Sequence, residues 1–329
     1  MSAPLVSVVI PNYNGAQTLD ETLNSVRGQS HSALEIIVVD DGSRDDSVAL
    51  VARHAAVDPR VRVIQQVNSG VAAARNAGWR AAASDFVAFV DSDDLWAPDK
   101  IERQLRRMQA ADNPGLVYCG YALIDRESRV LEREPCAAHE GDVLGKLVQG
   151  NFIGNGSAAL VQRWVLERTG GFEPALHHAG AQGCEDLLFY CRAAEHCGFG
   201  AVPDHLVGYR TLPDNMSSDG RRMLRSWQMV IDEIGGRHPE HLPALEQGIS
   251  WFAIWTANRA LFQRKPMMIA RILAHLAPGR PALAARILML EMPRAVRRSL
   301  YKRRRIAAAV ETGAVAAAPA ERYPIGVPA

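Results

Sequence analysis

Asp91, Asp93 and Asp94 crowd together in the stretch FVAFVDSDDLWAPDK, residues 86–100, directly after a run of largely apolar residues. Carboxylates a few ångströms apart repel one another unless something positive sits between them. A divalent metal, brought by a substrate, answers that need. Hard cations take oxygen ligands, and Mg²⁺ is commonly held by one or two carboxylates plus substrate phosphates. A D-x-D at a strand end places one carboxylate on a metal and another on a ribose hydroxyl. The plain alternative is a set of turn and helix-capping aspartates, since Asp is common after strands.

The elements that must position this cluster are readable upstream. Val6–Ile10, Glu35–Val39, Val61–Gln65, Phe86–Val90 and Val117–Tyr121 are short runs rich in β-branched residues. They are nearly all apolar, which suits strands covered on both faces. Segments of helical spacing alternate with them. Thr18-x-x-Glu21 reads as a capping box for the first helix, with Leu19, Leu23 and Val26 as its apolar stripe. Asp45 and Asp46 are placed to cap the second, Val71–Ala83 forms an Ala-rich third, and Pro98 and Asp99 open the fourth. The alternation predicts a mostly parallel sheet in right-handed crossovers, with ligands outside the carboxyl ends of the strands. Those ends carry Pro11-Asn12-Tyr13-Asn14-Gly15, Asp40-Asp41-Gly42-Ser43 and the Asp91–Asp94 cluster. Acidic and aromatic groups thus converge on one rim.

Bulk composition narrows the class. The chain has 329 residues, 48% hydrophobic and 22% charged, with a net charge of +1, so a folded core is expected and no global attraction to nucleic acid. Five cysteines at spacings that fit no zinc template are expected to be reduced thiols of a cytoplasmic protein. The N-terminus lacks the pattern of a signal peptide, and no long uncharged apolar run predicts a spanning helix.

Four segments then follow in a telling order: VSVVIPNYNGAQTLDETLNSVRGQS, EIIVVDDGSRDDS, NSGVAAARNAGWRAA and FVAFVDSDDLWAPD. Together with GGFEPALHHAGAQGCEDLLFYCRAAEHC and VGYRTLPDNMSSD, they resemble the family 2 glycosyltransferases of GT-A fold across about Leu5–Asp219. The resemblance implies an α/β, Rossmann-like fold with a mostly parallel central sheet flanked by helices, and a helical C-terminal region. It divides the matching part into a nucleotide-sugar half (1–118) and an acceptor half with the catalytic base (119–219); beyond it the residues themselves read as a helical extension (220–306) and an Ala- and Pro-rich, disordered tail without periodicity (307–329). It implies an inverting, hexosyltransferase-type enzyme of polysaccharide and cell-envelope synthesis, using a UDP- or GDP-sugar with Mn²⁺ or Mg²⁺. In that scheme Tyr13, following Pro11, stacks on the base, and Asp41 accepts from the base's ring N–H. Arg75 lies by the nucleotide or its phosphates, Asp91 and Asp93 form the D-x-D, and Asp93 faces the ribose. Asp94 is the favoured metal ligand, with Asp93 as the alternative. Asp186 is the general base and Glu185 its neighbour at the substrate.

Departures from the family pattern sharpen the expectations. Many relatives carry a metal-binding His after the Tyr-Arg pair, but Tyr209-Arg210 is followed here by Thr211-Leu212; His177, His178 and His205 are the substitutes in reserve. No Q-x-x-R-W run of processive members occurs, so transfer of a single sugar to a glycan or lipid-linked acceptor is expected. Asn151, Asn155 and Ser157 stand where an acceptor sugar is read, or else form a polar loop. The run PRAVRRSLYKRRR beside an apolar helix suits peripheral contact with the anionic inner face of a membrane, against the alternative of a solvated helix face. Two other functions compete: a nucleotidyltransferase, disfavoured by the missing Gly-rich phosphate loop, and a non-catalytic nucleotide-sugar-binding domain.

Overall fold

The computed structural model describes residues 3–212, 219–297 and 321–328. Two compact units emerge: Met1–Ala179 with Glu185–Pro213 and Glu321–Ala329, and a smaller one of Gly180–Cys184 with Asp214–Ala320.

The larger unit is built on one sheet of nine strands. Its strands are β1 (Val6–Asn12), β2 (Leu34–Asp40), β3 (Val61–Gln65), β4 (Phe86–Phe89), β5 (Leu95–Trp96), β6 (Leu116–Ile124), β7 (Val130–Arg133), β8 (Ala159–Gln162) and β9 (Phe199–Arg210). Their spatial order is β3-β2-β1-β4-β8-β6-β9-β5, with β7 on β6. The helices of this unit are α1 (Leu19–Arg27), α2 (Ser47–Val57), α3 (Val71–Ala81), α4 (Lys100–Met108), α5 (Leu144–Leu147), α6 (Arg163–Thr169), α7 (Ala175–His178) and α8 (Glu185–Ala194). The expected parallel sheet forms where the apolar runs alternate with helices: β1 pairs in parallel with both β2 and β4, and β2 with β3. Beyond β4 the sheet is mixed, because β8 runs antiparallel to both β4 and β6 while β9 lies parallel to β6. The two halves read from the sequence therefore share one continuous sheet.

Every residue of β1 is buried, and β2 is buried apart from Glu35, as continuous apolar strands under helices on both faces require. Each such Val or Ile contributes about 1.5–3 kcal/mol by leaving water. Gly78 of α3 lets that helix lie close on the sheet: a Cβ there would stand 2.3 Å from Cγ1 of Val9.

One local expectation is overturned by tertiary contacts, and a second holds for one of its two residues. Thr18 precedes α1 but makes no side-chain cap; its hydroxyl donates instead to the Ser92 carbonyl at 2.9 Å. Glu21 likewise turns away, accepting from Ser128 and Arg210. Ahead of α2, Asp46 is the flanking residue without a cap bond, while Asp45 accepts from the N–H groups of Ser47 and Ala16.

The tail expected to be disordered from 307 onward is ordered over 321–328. Arg322 pairs with Arg129 in an antiparallel bridge, and Tyr323 is buried with its hydroxyl donating to the His205 carbonyl at 2.8 Å. An aromatic side chain reaching a ready-made apolar slot outweighs the local lack of periodicity. Residues 307–320 lie outside the described residues.

The smaller unit is helical, as its sequence implies: α9 (Gly220–Arg237), α10 (Leu242–Phe262), α11 (Pro266–Leu276) and α12 (Pro281–Arg286), followed by a π-turn at Ile287–Glu291. Trp227 of α9 stacks on Phe252 of α10 at 5.3 Å, over a core that includes Ile234, Leu245, Ile249 and Ile272.

Candidate active site

The rim of the sheet is assembled by side chains that act on the acidic loop after β4. Thr22 of α1 donates to the carbonyls of Ser92 and Asp94, at 3.0 and 2.9 Å, and Thr18 adds its bond to Ser92. From the other side, Ser157 accepts the Asp91 N–H at 3.0 Å and donates to Oδ2 of Asp94 at 2.5 Å. Arg210, at the end of β9 and wholly buried, donates its backbone N–H to Oδ1 of Asp94 at 3.0 Å and its Nε–H to the Asp93 carbonyl at 2.7 Å. The rest of its guanidinium holds the carbonyls of Asp125 and Arg126 and the Glu21 carboxylate. The loop is therefore clamped by α1, β9 and the turn before β8.

These contacts divide the three aspartates. Asp94 has no exposed surface, and both its oxygens are taken by internal donors. Burial, with Asp93 and Asp91 as neighbours, pushes its carboxyl well above the usual range. Asp94, the metal ligand that the resemblance favours, stands here as the keystone of the loop, facing inward. Asp91 and Asp93 keep partial exposure. Burial and the Asp91 charge push the Asp93 carboxyl up to about 7.

Arg75 of α3 joins the loop to the second acidic group. Its Nη2 lies 2.5 Å from Oδ1 of Asp91, and its guanidinium packs over the Phe172 ring at 5.1 Å from the centroid. Burial works to lower its pKa, yet Asp91, Asp186 and Glu185 together hold it above the ordinary value. Asp186 and Glu185 open α8. Asp186 accepts from Nδ2 of Asn151 at 3.0 Å and from the Leu187 N–H at 2.8 Å. Burial raises its carboxyl to about 6, against the opposing pull of Arg75. Glu185 is buried at the helix start.

The nucleotide-side residues separate in a similar way. Tyr13 stands 52% exposed after β1, available for stacking, while Pro11 is buried within the strand. Asp41 is buried and committed: Oδ1 accepts from Gln66 and from the Ser69 N–H, and Oδ2 from the Gly70 N–H, all within 2.8 Å. It fixes the loop before α3, leaving Oδ2 with capacity for one further donor.

Three buried polar atoms around this rim have no protein partner: Oδ1 of Asn12, Nε of Arg75 and Nδ2 of Asn155. Buried polar groups are normally satisfied, so their gathering at one place fits a polar ligand or water. Among the described residues no three His, Cys, Asp or Glu side chains meet as a preformed metal cage. The donor set of Asp91 and Asp93 fits a cation that also takes oxygens from its substrate. Of the substitute histidines, His205 is 2.8 Å from the Glu134 carbonyl and 3.5 Å from Cys136 Sγ, while His177 packs on Gly70, whose N–H bonds Asp41. Asn155 and Ser157 are buried supports of the loop, leaving Asn151 as the polar group beside Asp186. Thr22 escaped the sequence reading, and Glu21 and Arg210 appeared there only as a capping residue and as half of the Tyr-Arg pair, because nothing local marks their contacts with this loop. A cavity of about 370 Å³ between α3 and residues 169–174 is lined by none of these site residues.

Residues 7–159 match the sequence model of glycosyl transferase family 2. The match covers a little under half of the chain. The putative teichuronic acid biosynthesis glycosyltransferase TuaG of Bacillus subtilis is 38% identical over 131 residues, 40% of this chain and 52% of that protein. The chain spans about half the length of the curated relatives that it matches. Crystal structures agree on the GT-A fold. S. aureus TarS 1–349 in complex with UDP-GlcNAc superposes with a TM-score of 0.63 at 17% identity, over 85% of this chain and 82% of that one. Mannosyltransferase PcManGT of Pyrobaculum calidifontis, in complex with GDP-Man and Mn²⁺, gives 0.57 at 22% identity, over 90% and 81%. The family 2 match ends within β8, so Asp186 and Arg210 lie beyond it.

Proposed function

We propose that this chain is an inverting glycosyltransferase that moves one sugar from a nucleoside diphosphate sugar to a hydroxyl of a glycan or lipid-linked acceptor. The observation that carries the reading is the position of Arg75, a buried cation that bonds Asp91 and feels the Asp186 carboxylate. It links a donor site at the strand ends to a base at the start of α8.

Asp186 takes the acceptor hydroxyl's proton as that oxygen bonds to the anomeric carbon, on the face opposite the departing diphosphate. Asn151 and the Leu187 N–H orient the carboxylate for that transfer. Arg75 holds Asp91 in place and offsets negative charge at the rim. Tyr13 offers its exposed ring to the base of the nucleotide. Asp91 and Asp93 would hold a Mn²⁺ or Mg²⁺ ion, which when bound neutralises charge on the diphosphate.

UDP- and GDP-sugars are the donors to test first, since two proteins of like fold were crystallised with UDP-GlcNAc and GDP-Man. The likeness to TuaG, a putative teichuronic acid biosynthesis glycosyltransferase, supports an acceptor in envelope polysaccharide synthesis. No helix among the described residues is long and apolar enough to cross a membrane.

Calorimetry with a panel of UDP- and GDP-sugars, with and without Mn²⁺, tests the reading. Metal-dependent binding of one nucleotide class that Asp93→Ala abolishes is the expected result. A folded protein that binds none of them would leave the proposal without a donor site.

A further inference from the structure

The charge of the chain is divided very unevenly. Residues 214–320 carry 17 Lys and Arg against 8 Asp and Glu, while the whole chain carries 37 against 36. The same smaller unit also holds nine of the sixteen large exposed apolar side chains among the described residues. Within the described residues 219–297 the balance is 12 Lys and Arg against 6 Asp and Glu, so the helical bundle is both basic and openly apolar, matched to a particular kind of surface.

The apolar groups are patterned. Trp251, Trp255 and Phe262 of α10 are 62%, 36% and 56% exposed. At 100° per residue they fall within a narrow arc of one helix face. The opposite face of α10 is the buried one, with Phe252, Ala253, Thr256, Ala257 and Ala260. In the π-turn, Ile287 and Glu291 point inward, and the three residues between them, Leu288, Met289 and Leu290, stand outward at 51%, 70% and 49% exposure. Arginines frame both groups: Arg259 packs over the Trp255 ring at 5.3 Å, and Arg286, Arg294 and Arg297 flank the π-turn at the surface, the first two also paired with Glu291 at 3.1 and 3.4 Å.

We infer that the helical unit docks on an anionic lipid bilayer, with the Trp251–Trp255–Phe262 face and the Leu288–Leu290 turn entering the headgroup region. Tryptophan at such a boundary places its ring in the apolar layer and its N–H at the wet edge. Leucine and methionine reach the acyl chains, and the surrounding arginines meet lipid phosphate. A second copy of this chain is the poorer occupant, because a symmetric contact through this unit would press two strongly basic surfaces together. Nucleic acid fits the arginines but leaves Leu288, Met289 and Leu290 without an apolar partner. The inference deepens the lipid-linked-acceptor part of the proposed function and adds the α10 face, which the basic run near the C-terminus did not reveal.

Flotation of the full chain with phosphatidylcholine–phosphatidylglycerol vesicles, against pure phosphatidylcholine, is the test. Binding to the anionic vesicles is expected, weakened by salt. The double substitution Trp251→Glu with Met289→Glu, both at highly exposed positions, is expected to cut it at least about 10-fold. Its melting temperature and its calorimetric binding of donor nucleotide should match the wild type. Wild-type protein that is folded yet stays off anionic vesicles overturns the inference. So does a variant that binds them undiminished, or one whose main change is loss of self-association. Should the variant fold poorly, brominated lipids give an independent readout: they should quench wild-type tryptophan fluorescence more than that of Trp251→Phe, and equal quenching overturns the proposal. Vesicle binding is measured without donor or acceptor, so failure of the transferase reading would register separately, in the calorimetry alone.

Discussion

Nη2 of Arg75 and Oδ1 of Asp91 lie 2.5 Å apart, and the same guanidinium is held charged by Asp186 and Glu185. A buried cation that serves three carboxylates on two elements cannot be replaced piecemeal. Removing one partner of such a set leaves uncompensated buried charge, at a cost of about 3–5 kcal/mol.

Arg75→Ala is therefore expected to lose activity at least about 100-fold and to lower the melting temperature. Arg75→Lys keeps the charge but not the planar fork, and should recover stability more than activity. Gly156→Ala approaches the same group from outside, since its Cβ would stand 2.5 Å from Nη2 of Arg75. Equal activity in Arg75→Lys and wild type would argue against a geometric role for the fork.

Asp186 titrates where activity can report it. Its carboxyl is raised by burial to about 6, and a base must be deprotonated to accept a proton, so kcat/KM should fall as pH drops below about 6. Asp186→Asn should reduce kcat by about 100- to 10,000-fold with little change in donor affinity. Measuring the pH profile of wild type beside that variant checks both points. An acid limb that persists unchanged in the variant would assign it to another group.

Asp93 and Asp94 adjoin in sequence but should fail differently. Asp94→Ala strands the Arg210 N–H and the Ser157 hydroxyl, at about 1–3 kcal/mol for each buried donor left unpaired. Its melting temperature should drop accordingly. Asp93→Ala should melt near the wild type and lose the Mn²⁺ dependence of donor binding. Thermal melts and calorimetry on the pair decide the matter, and the reverse pattern would restore Asp94 as the ligand.

Tyr323 anchors the ordered end of the chain. Its ring fills a slot beside Gly208, and its hydroxyl bonds the His205 carbonyl. Tyr323→Ala should cost about 3 kcal/mol, as for other large aromatic truncations. Tyr323→Phe keeps the ring and should lose about 1 kcal/mol. An unchanged denaturation midpoint for the alanine variant would mean that the segment adds nothing to stability.

Much of the larger unit was legible from local pattern. Continuous apolar runs such as VSVVI and EIIVV are buried strands in the positions expected, because burial on both faces leaves no room for polar alternation. The site residues were legible by type, since three aspartates after a strand demand an electrostatic explanation. Which way each one faces was not. Thr18 and Glu21 show why: a capping box is a local option, and here stronger partners at Ser92, Ser128 and Arg210 drew both side chains away.

By itself, the sequence determined the alternation of strands and helices, the convergence of acidic groups on one rim, the helical character of the C-terminal region and its excess of positive charge. These follow from residue spacing and composition, which are properties of the chain alone. Only the tertiary structure decided that Asp94 turns inward, because its partner is the backbone N–H of Arg210, 116 residues further along. It alone placed Arg75 between Asp91 and the start of α8 and folded Tyr323 back onto the sheet. Each of these depends on groups far apart in the chain meeting at hydrogen-bond or van der Waals distance, which no local pattern encodes.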